Sequence, residues 1–139
     1  MLVYPAVFAQ DEKTIIVTFP DIEEAITCGD DYDDALFMAN DVLPFVIQHI
    51  YFEDGKAIPM PSPVQEGQVA ISLDETASMK VMLHNEMVKQ HVIKAELARR
   101  LDMAPQHIKR LLSPKVPTKL STLSAAFAAL GKRLDIRVV

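Results

Sequence analysis

The feature that most constrains the fold is a change in apolar periodicity near residue 74. Before it, apolar residues form short β-branched runs such as residues 14–19 (TIIVTF) and 69–73 (VAISL), which are typical of strands. Beyond it, they recur every three or four residues, which is typical of helices. We therefore predict two domains, residues 1–74 and residues 75–139.

The first domain is predicted to have the order β-β-β-α-β. Strands are expected at residues 3–9, 14–19, 24–28 and 69–73, with Pro5 favouring an edge or the start of its strand. Asp30 or Asp31 can cap the helix that follows the third strand. Pro44 lies inside that helix and removes a backbone hydrogen bond, so a kink or two abutting helices are expected.

The charge of the chain changes sign where the periodicity changes. Residues 1–74 contain fourteen acidic and two basic residues, a net charge of −12. Residues 75–139 contain five acidic and twelve basic residues, a net charge of +7. This division indicates a basic partner for the first half and a phosphate-bearing partner for the second.

Residues 94–112 (KAELARRLDMAPQHIKRLL) have the pattern of a helix-turn-helix. Ala98 supplies the small residue at the helix crossing, and Asp102 occupies the turn position where the backbone becomes left-handed, a conformation that Asp tolerates. Pro105 suits the first turn of the second helix. The apolar anchors are Leu97, Leu101, Met103, Ile108 and Leu111.

The outward face of the second helix is polar and basic, as a helix in the major groove requires. The predicted DNA-reading residues are Gln106, Lys109, Arg110 and Ser113. Cations on either side are predicted to hold the DNA backbone: Lys94, Arg99, Arg100, Lys115 and Lys119. The alternative is an ordinary helical pair with a solvated basic face.

The C-terminal segment predicts an interface between copies of the chain. A last helix is expected to end at Gly131 in a left-handed cap. Residues 134–138 (LDIRV) then alternate apolar and charged, which predicts a strand with Ile136 and Val138 on one face. Such a strand could pair across a two-fold axis, giving a homodimer that reads two operator half-sites.

Several other functions are disfavoured by the composition. The single cysteine, Cys28, excludes a disulfide framework or a multi-cysteine metal site within one chain, and its apolar context predicts burial. The acids at residues 30–34 lack the Gly and the distal carboxylate of a calcium loop. We expect no metal, cofactor, membrane span or secretory signal, and a cytoplasmic location.

Three stretches together resemble the HicB family of antitoxins. They are residues 18–36 (TFPDIEEAITCGDDYDDAL), residues 51–63 (YFEDGKAIPMPSP) and the helix-turn-helix with ELARRL at residues 96–101. Pro44 and Asp102 depart from the family's pattern.

The resemblance implies a fold and two activities. The first half would be a truncated ribonuclease H-like fold without nuclease activity, which masks HicA, a small basic toxin that cleaves messenger RNA. The second half would repress its own operon by binding the operator. Beside the Phe-Pro-Asp turn, Asp21, Glu23 and Glu24 are the predicted toxin-facing residues.

Two other functions are alternatives to an antitoxin. A one-component regulator would sense a small molecule in an apolar pocket of the first half. A nuclease of ribonuclease H type would need acids on its strands to hold Mg²⁺, and TIIVTF and VAISL contain none. The chain is therefore not expected to be an enzyme.

Overall fold

A computed structural model describes all residues, 1–139, and gives a mixed α+β fold. The order β-β-β-α-β is confirmed for the first half, and helices follow it. The elements are β1 (Val3–Asp11), β2 (Thr14–Thr18), β3 (Ile26–Gly29), α1 (Tyr32–Val46) with a π-helical continuation (Ile47–Phe52), β4 (Val69–Ser72), α2 (Glu75–Gln90), α3 (Lys94–Leu101), α4 (Pro105–Leu112) and α5 (Leu120–Ala129).

The four strands form one antiparallel sheet in the order β3-β2-β1-β4. Pro5 lies near the start of β1 and pairs with Ala70 of β4, whereas the ladder between β1 and β2 begins at Val7. The missing N–H of Pro5 therefore falls outside the β1–β2 ladder, as expected for a proline at a strand start.

Helix α1 covers one face of this sheet. Asp31 caps it by accepting a hydrogen bond from the backbone N–H of Asp34 at 2.8 Å. Its buried residues Ala35, Ala39 and Leu43 belong to a core of nineteen residues that also contains residues of β1, β2, β4 and α2. The small alanines let the helix approach the sheet closely.

Pro44 does not end the helical segment. The α-helical winding continues to Val46, and a π-helical segment from Ile47 to Phe52 follows directly, so the second of the two expected outcomes, two abutting helices, describes the segment. The π turn keeps Ile47, Tyr51 and Phe52 buried. By length and composition alone, the combined segment of 21 residues could cross a membrane, a test that core helices also pass.

A second core of twelve buried residues lies among α2, α3, α4 and α5. Asp74 precedes helix α2 and caps it by accepting a hydrogen bond from the N–H of Ala77 at 2.7 Å. Its first half contributes Ala77 and Val81 to the sheet core, and its second half contributes Leu83 and Met87 to the helical core. Helix α2 is thus shared by both parts of the protein.

The predicted C-terminal strand is absent. Gly131 adopts the expected left-handed conformation, with φ 73°, but residues 132–139 are irregular. Ile136 is 63% exposed, and no strand of the same chain lies beside the segment to complete a ladder. An alternating pattern defines two faces, but a strand also needs a hydrogen-bonding partner.

The predicted burial of Cys28 is also wrong. Cys28 is exposed, because it lies on the face of the sheet opposite α1. Its register partner is Ile16, whereas the neighbouring Gly29 is the residue that packs against α1. Alternation along the strand therefore directs Cys28 away from the core.

Candidate functional site

The connection between α3 and α4 has the backbone that its sequence predicts. Asp102 ends α3 in the left-handed region, with φ 52° and ψ 47°. The N–H of Met103 then donates to the carbonyl of Ala98 at 2.9 Å. Pro105 occupies the first turn of α4, where its missing N–H has no helical partner to lose. The two helices are therefore joined by a short, well-hydrogen-bonded turn.

Helix α4 presents two different faces. Ile108, Leu111 and Leu112 are buried in the helical core. The predicted reading residues Gln106, Lys109 and Arg110 are all exposed, whereas Ser113, just after the helix, is half-buried. The structure therefore brings three of the four together on an accessible face with two positive charges.

The flanking cations divide into two groups. Lys94, Lys115 and Lys119 are exposed around the α3–α4 pair. Arg99 and Arg100 instead bind Glu96 through their Nε atoms, at 2.9 and 3.0 Å, and these hydrogen bonds lower the pKa of Glu96 to about 2. Arg100 also donates from Nη1 to the carbonyl of Ala129 at 3.0 Å, which ties α3 to α5.

A buried lysine that the sequence analysis did not single out holds the end of α4. Lys80 of α2 is fully buried, and its Nζ donates to the carbonyls of Ser113 at 2.7 Å, Val116 at 2.6 Å and Arg110 at 3.3 Å. Burial lowers the pKa of its ammonium group to about 8. The sequence feature that could have indicated this burial is the position of the lysine beside Val81 within the apolar stripe of α2.

The three acidic residues predicted to face the toxin, Asp21, Glu23 and Glu24, lie in the link between β2 and β3. Asp21 accepts two hydrogen bonds from Ser62, from its backbone N–H at 2.8 Å and from its hydroxyl at 2.6 Å. Glu24 accepts a hydrogen bond from the Tyr51 hydroxyl, and burial together with this contact raises the pKa of Tyr51. Glu23 is exposed. Asp21 and Glu24 thus also position neighbouring segments.

The proline-rich loop before β4 is fixed to both the sheet and α2. The Tyr4 hydroxyl donates to the carbonyl of Pro59 at 2.8 Å. Asn85 exchanges two hydrogen bonds with the backbone of Ile58, at 2.7 and 2.9 Å. Asp21 of the first half and Asn85 of α2 therefore hold the same loop.

His84 of α2 adds a contact that depends on pH. Its Nε2 lies 2.7 Å from the carbonyl of Lys56, to which the neutral ring donates, and the ring stacks on Phe52 with centroids 4.5 Å apart. Burial lowers the pKa of His84 below the ordinary value of 6.5.

We expect acid to destabilise the protein through His84. As pH falls below 6.5, the unfolded chain binds a proton at this histidine more readily than the folded chain, so the free energy of unfolding decreases. Urea denaturation should therefore show that the free energy of unfolding falls less between pH 7 and pH 5 in His84→Gln than in the wild type. His107→Gln, at an exposed histidine, is the control and should behave as the wild type does.

A ligand sensor would need its pocket in the sheet-bearing half, but the largest groove has only Met60 of that half among its lining residues. It measures about 520 Å³ and lies between α2, Met60 and the C-terminal segment. Its apolar residues Met82, Phe127 and Leu134 are accompanied by the cations Lys132 and Arg133. This open groove gives no support to a small-molecule pocket enclosed in the first half.

The fold and its surfaces define a small α+β protein with an acidic sheet-bearing half and a basic helical half. Residues 3–82 match the family model described as HicB_like antitoxin of bacterial toxin-antitoxin system. The chain belongs to the HicB family of antitoxins, as the sequence resemblance predicted.

Several relatives extend this similarity over nearly the whole chain. "Antitoxin HicB 2" of Photorhabdus laumondii is 41% identical over 133 residues, covering 96% of this chain and 94% of the relative. "Antitoxin HicB" of Escherichia coli K12 is 36% identical and covers 92% of each chain. "Antitoxin HicB" of Pseudomonas fluorescens is 28% identical over 99% of this chain and 94% of the relative. All three are named antitoxins and not enzymes.

Proposed function

We propose that this antitoxin neutralises a HicA-type mRNA-cleaving toxin through residues 1–74 and represses its own operon through residues 75–139. The observation that carries the proposal is the division of charge, −12 in the half that contains the sheet and +7 in the helical half. A negative surface attracts a basic ribonuclease, and a positive surface attracts DNA. Both partners would be met in the cytoplasm.

The α3–α4 pair is proposed to act as a helix-turn-helix that places α4 in the major groove. The exposed side chains of Gln106, Lys109 and Arg110 support this role, since Gln pairs with adenine edges and cations pair with guanine or phosphate. Ser113 would contribute at the end of α4. The backbone-holding set is proposed to be Lys94, Arg99, Arg100, Lys115 and Lys119.

The sheet-bearing half is proposed to be a truncated ribonuclease H-like domain that binds the toxin without nuclease activity. Glu23 is the exposed member of the proposed contact set, which also includes Asp21 and Glu24. Their hydrogen bonds to Ser62 and Tyr51 support a rigid presentation of this acidic turn. A rigid contact loses less conformational entropy on binding.

The DNA-binding unit is proposed to be a homodimer formed through residues 134–138. The exposed side chains of Ile136 and Val138 and the free backbone of this segment support pairing with the same segment of a second copy. A two-fold dimer would read operator half-sites roughly 34 Å apart.

A double variant separates the two proposed activities. Lys109→Ala/Arg110→Ala should weaken operator binding by at least about tenfold, since each good contact is worth roughly 1–3 kcal/mol. Toxin neutralisation should be unchanged. The measurements are a mobility-shift titration with the promoter duplex and a messenger RNA cleavage assay with the toxin.

The control for this variant is Lys13→Ala/Lys56→Ala, which removes the same charge from the acidic half and should leave operator binding intact. Loss of both activities in Lys109→Ala/Arg110→Ala would contradict the division of labour.

A further inference from the structure

The outward side of α1 carries two aromatic rings that lie outside the sheet core, and one of them, Phe45, lies against the ring of His49. Phe37 is 69% exposed and Phe45 is 51% exposed, although both lie on a helix whose opposite side is buried in the sheet core. The element packs mainly on the sheet and on its own π-helical continuation. Large exposed aromatic residues on one helix face are typical of protein interfaces.

Carboxylates alternate with these rings. The helix turns by about 100° per residue, so residues four positions apart lie on the same side. The outward side therefore presents, in order, Asp33, Phe37, Asp41 and Phe45. We name this surface, Asp33, Phe37, Asp41 and Phe45, the α1 ridge. Asp33 and Asp41 are exposed, and neither makes an ion pair or a side-chain hydrogen bond.

We propose that the α1 ridge is a contact surface for the cognate toxin, an inference that rests on the proposed antitoxin function. The two phenyl rings would enter an apolar patch on the toxin, and the two carboxylates would receive lysine or arginine side chains around it. Interfaces commonly have this arrangement of buried aromatic anchors and a charged rim.

The charge of the ridge decides between a toxin and other occupants. A second copy of this half would bring rows of aspartates together within a surface of net charge −12, and nucleic acid would be repelled by the same charge. A protein with a basic surface around an apolar patch matches both the rings and the carboxylates.

The ridge is also joined to the acidic turn proposed to face the toxin. The π-helical segment continues directly from α1, and its Tyr51 donates a hydrogen bond to Glu24. This contact places Glu24 against the carboxyl-terminal continuation of the ridge helix. A single basic partner could therefore contact the ridge and the turn together.

The test compares ridge variants of the full-length protein with the wild type by calorimetric titration of the purified toxin. Phe37→Ala/Phe45→Ala should weaken toxin binding at least tenfold, with thermal stability and operator binding unchanged. Asp33→Asn/Asp41→Asn should reduce the salt dependence of toxin binding. Met82→Ala/Leu120→Ala, which truncates two exposed apolar residues of the helical half, is the control and should bind the toxin normally.

The results of this titration show separately whether the α1 ridge binds the toxin and whether the protein binds the toxin at all. If the wild type binds the toxin and the phenylalanine variant binds equally well, the ridge assignment is wrong and the antitoxin function stands. If the variant instead changes only the sedimentation coefficient of the free protein, a second copy covers the ridge and the assignment is overturned. If the wild type fails to bind the toxin, the proposed function itself fails.

Discussion

Lys80→Met is expected to destabilise the protein by roughly 3 kcal/mol and to abolish operator binding. The side chain of Met fills a similar volume but donates no hydrogen bond, so the carbonyls of Arg110, Ser113 and Val116 lose their shared donor. An unpaired buried polar group costs about 1–3 kcal/mol, and some of these carbonyls can recover water. The end of α4 and the loop after it should become mobile.

Urea denaturation and operator titration measure the two effects of Lys80→Met. The matched control is Lys89→Met on the same helix, where the lysine is exposed and a change within about 0.5 kcal/mol is expected. Equal stability of Lys80→Met and Lys89→Met would show that the three carbonyl contacts do not hold α4.

Gly29→Ala is expected to separate α1 from the sheet. A Cβ atom at this position would lie 2.3 Å from the backbone N and 2.5 Å from the Cα of Ala35, so the backbone itself must move. Overpacking of a core costs about 1–3 kcal/mol, and the upper end is expected here because no flexible side chain can yield. Toxin neutralisation should fall with stability, since α1 and the acidic turn share this support.

The control for Gly29→Ala is Cys28→Ala at the neighbouring exposed position of β3. Thermal denaturation should show a clear loss for Gly29→Ala and almost none for Cys28→Ala. An unchanged melting temperature in Gly29→Ala would mean that the contact between β3 and Ala35 is not tight.

The local backbone features of this protein follow closely from its sequence. Asp31 and Asp74 cap their helices, Asp102 and Gly131 adopt left-handed conformations, and Pro105 begins α4. Each depends on interactions within a few residues, which side-chain chemistry largely determines. These features were predictable because none of them depends on where a distant segment of the chain lies.

The missed features depend on contacts between distant parts of the chain. Lys80 lies 36 residues from Val116, and Asp21 lies 41 residues from Ser62, so no local pattern identifies either pair. The burial predicted for Cys28 failed because strand register and the placement of α1 decide which residues of β3 face the core. The strand predicted at residues 134–138 failed because alternation supplies no pairing partner.

Salt titration tests most directly whether a basic helical module binds duplex DNA while an acidic module binds the toxin. Operator binding by the full-length protein should weaken linearly on a log–log plot against salt. The slope of Lys115→Ala/Lys119→Ala, which removes two of the proposed backbone-holding cations, should be smaller by about 0.9 for each phosphate contact removed. Binding that is insensitive to salt, or a slope identical in the two proteins, would contradict the account.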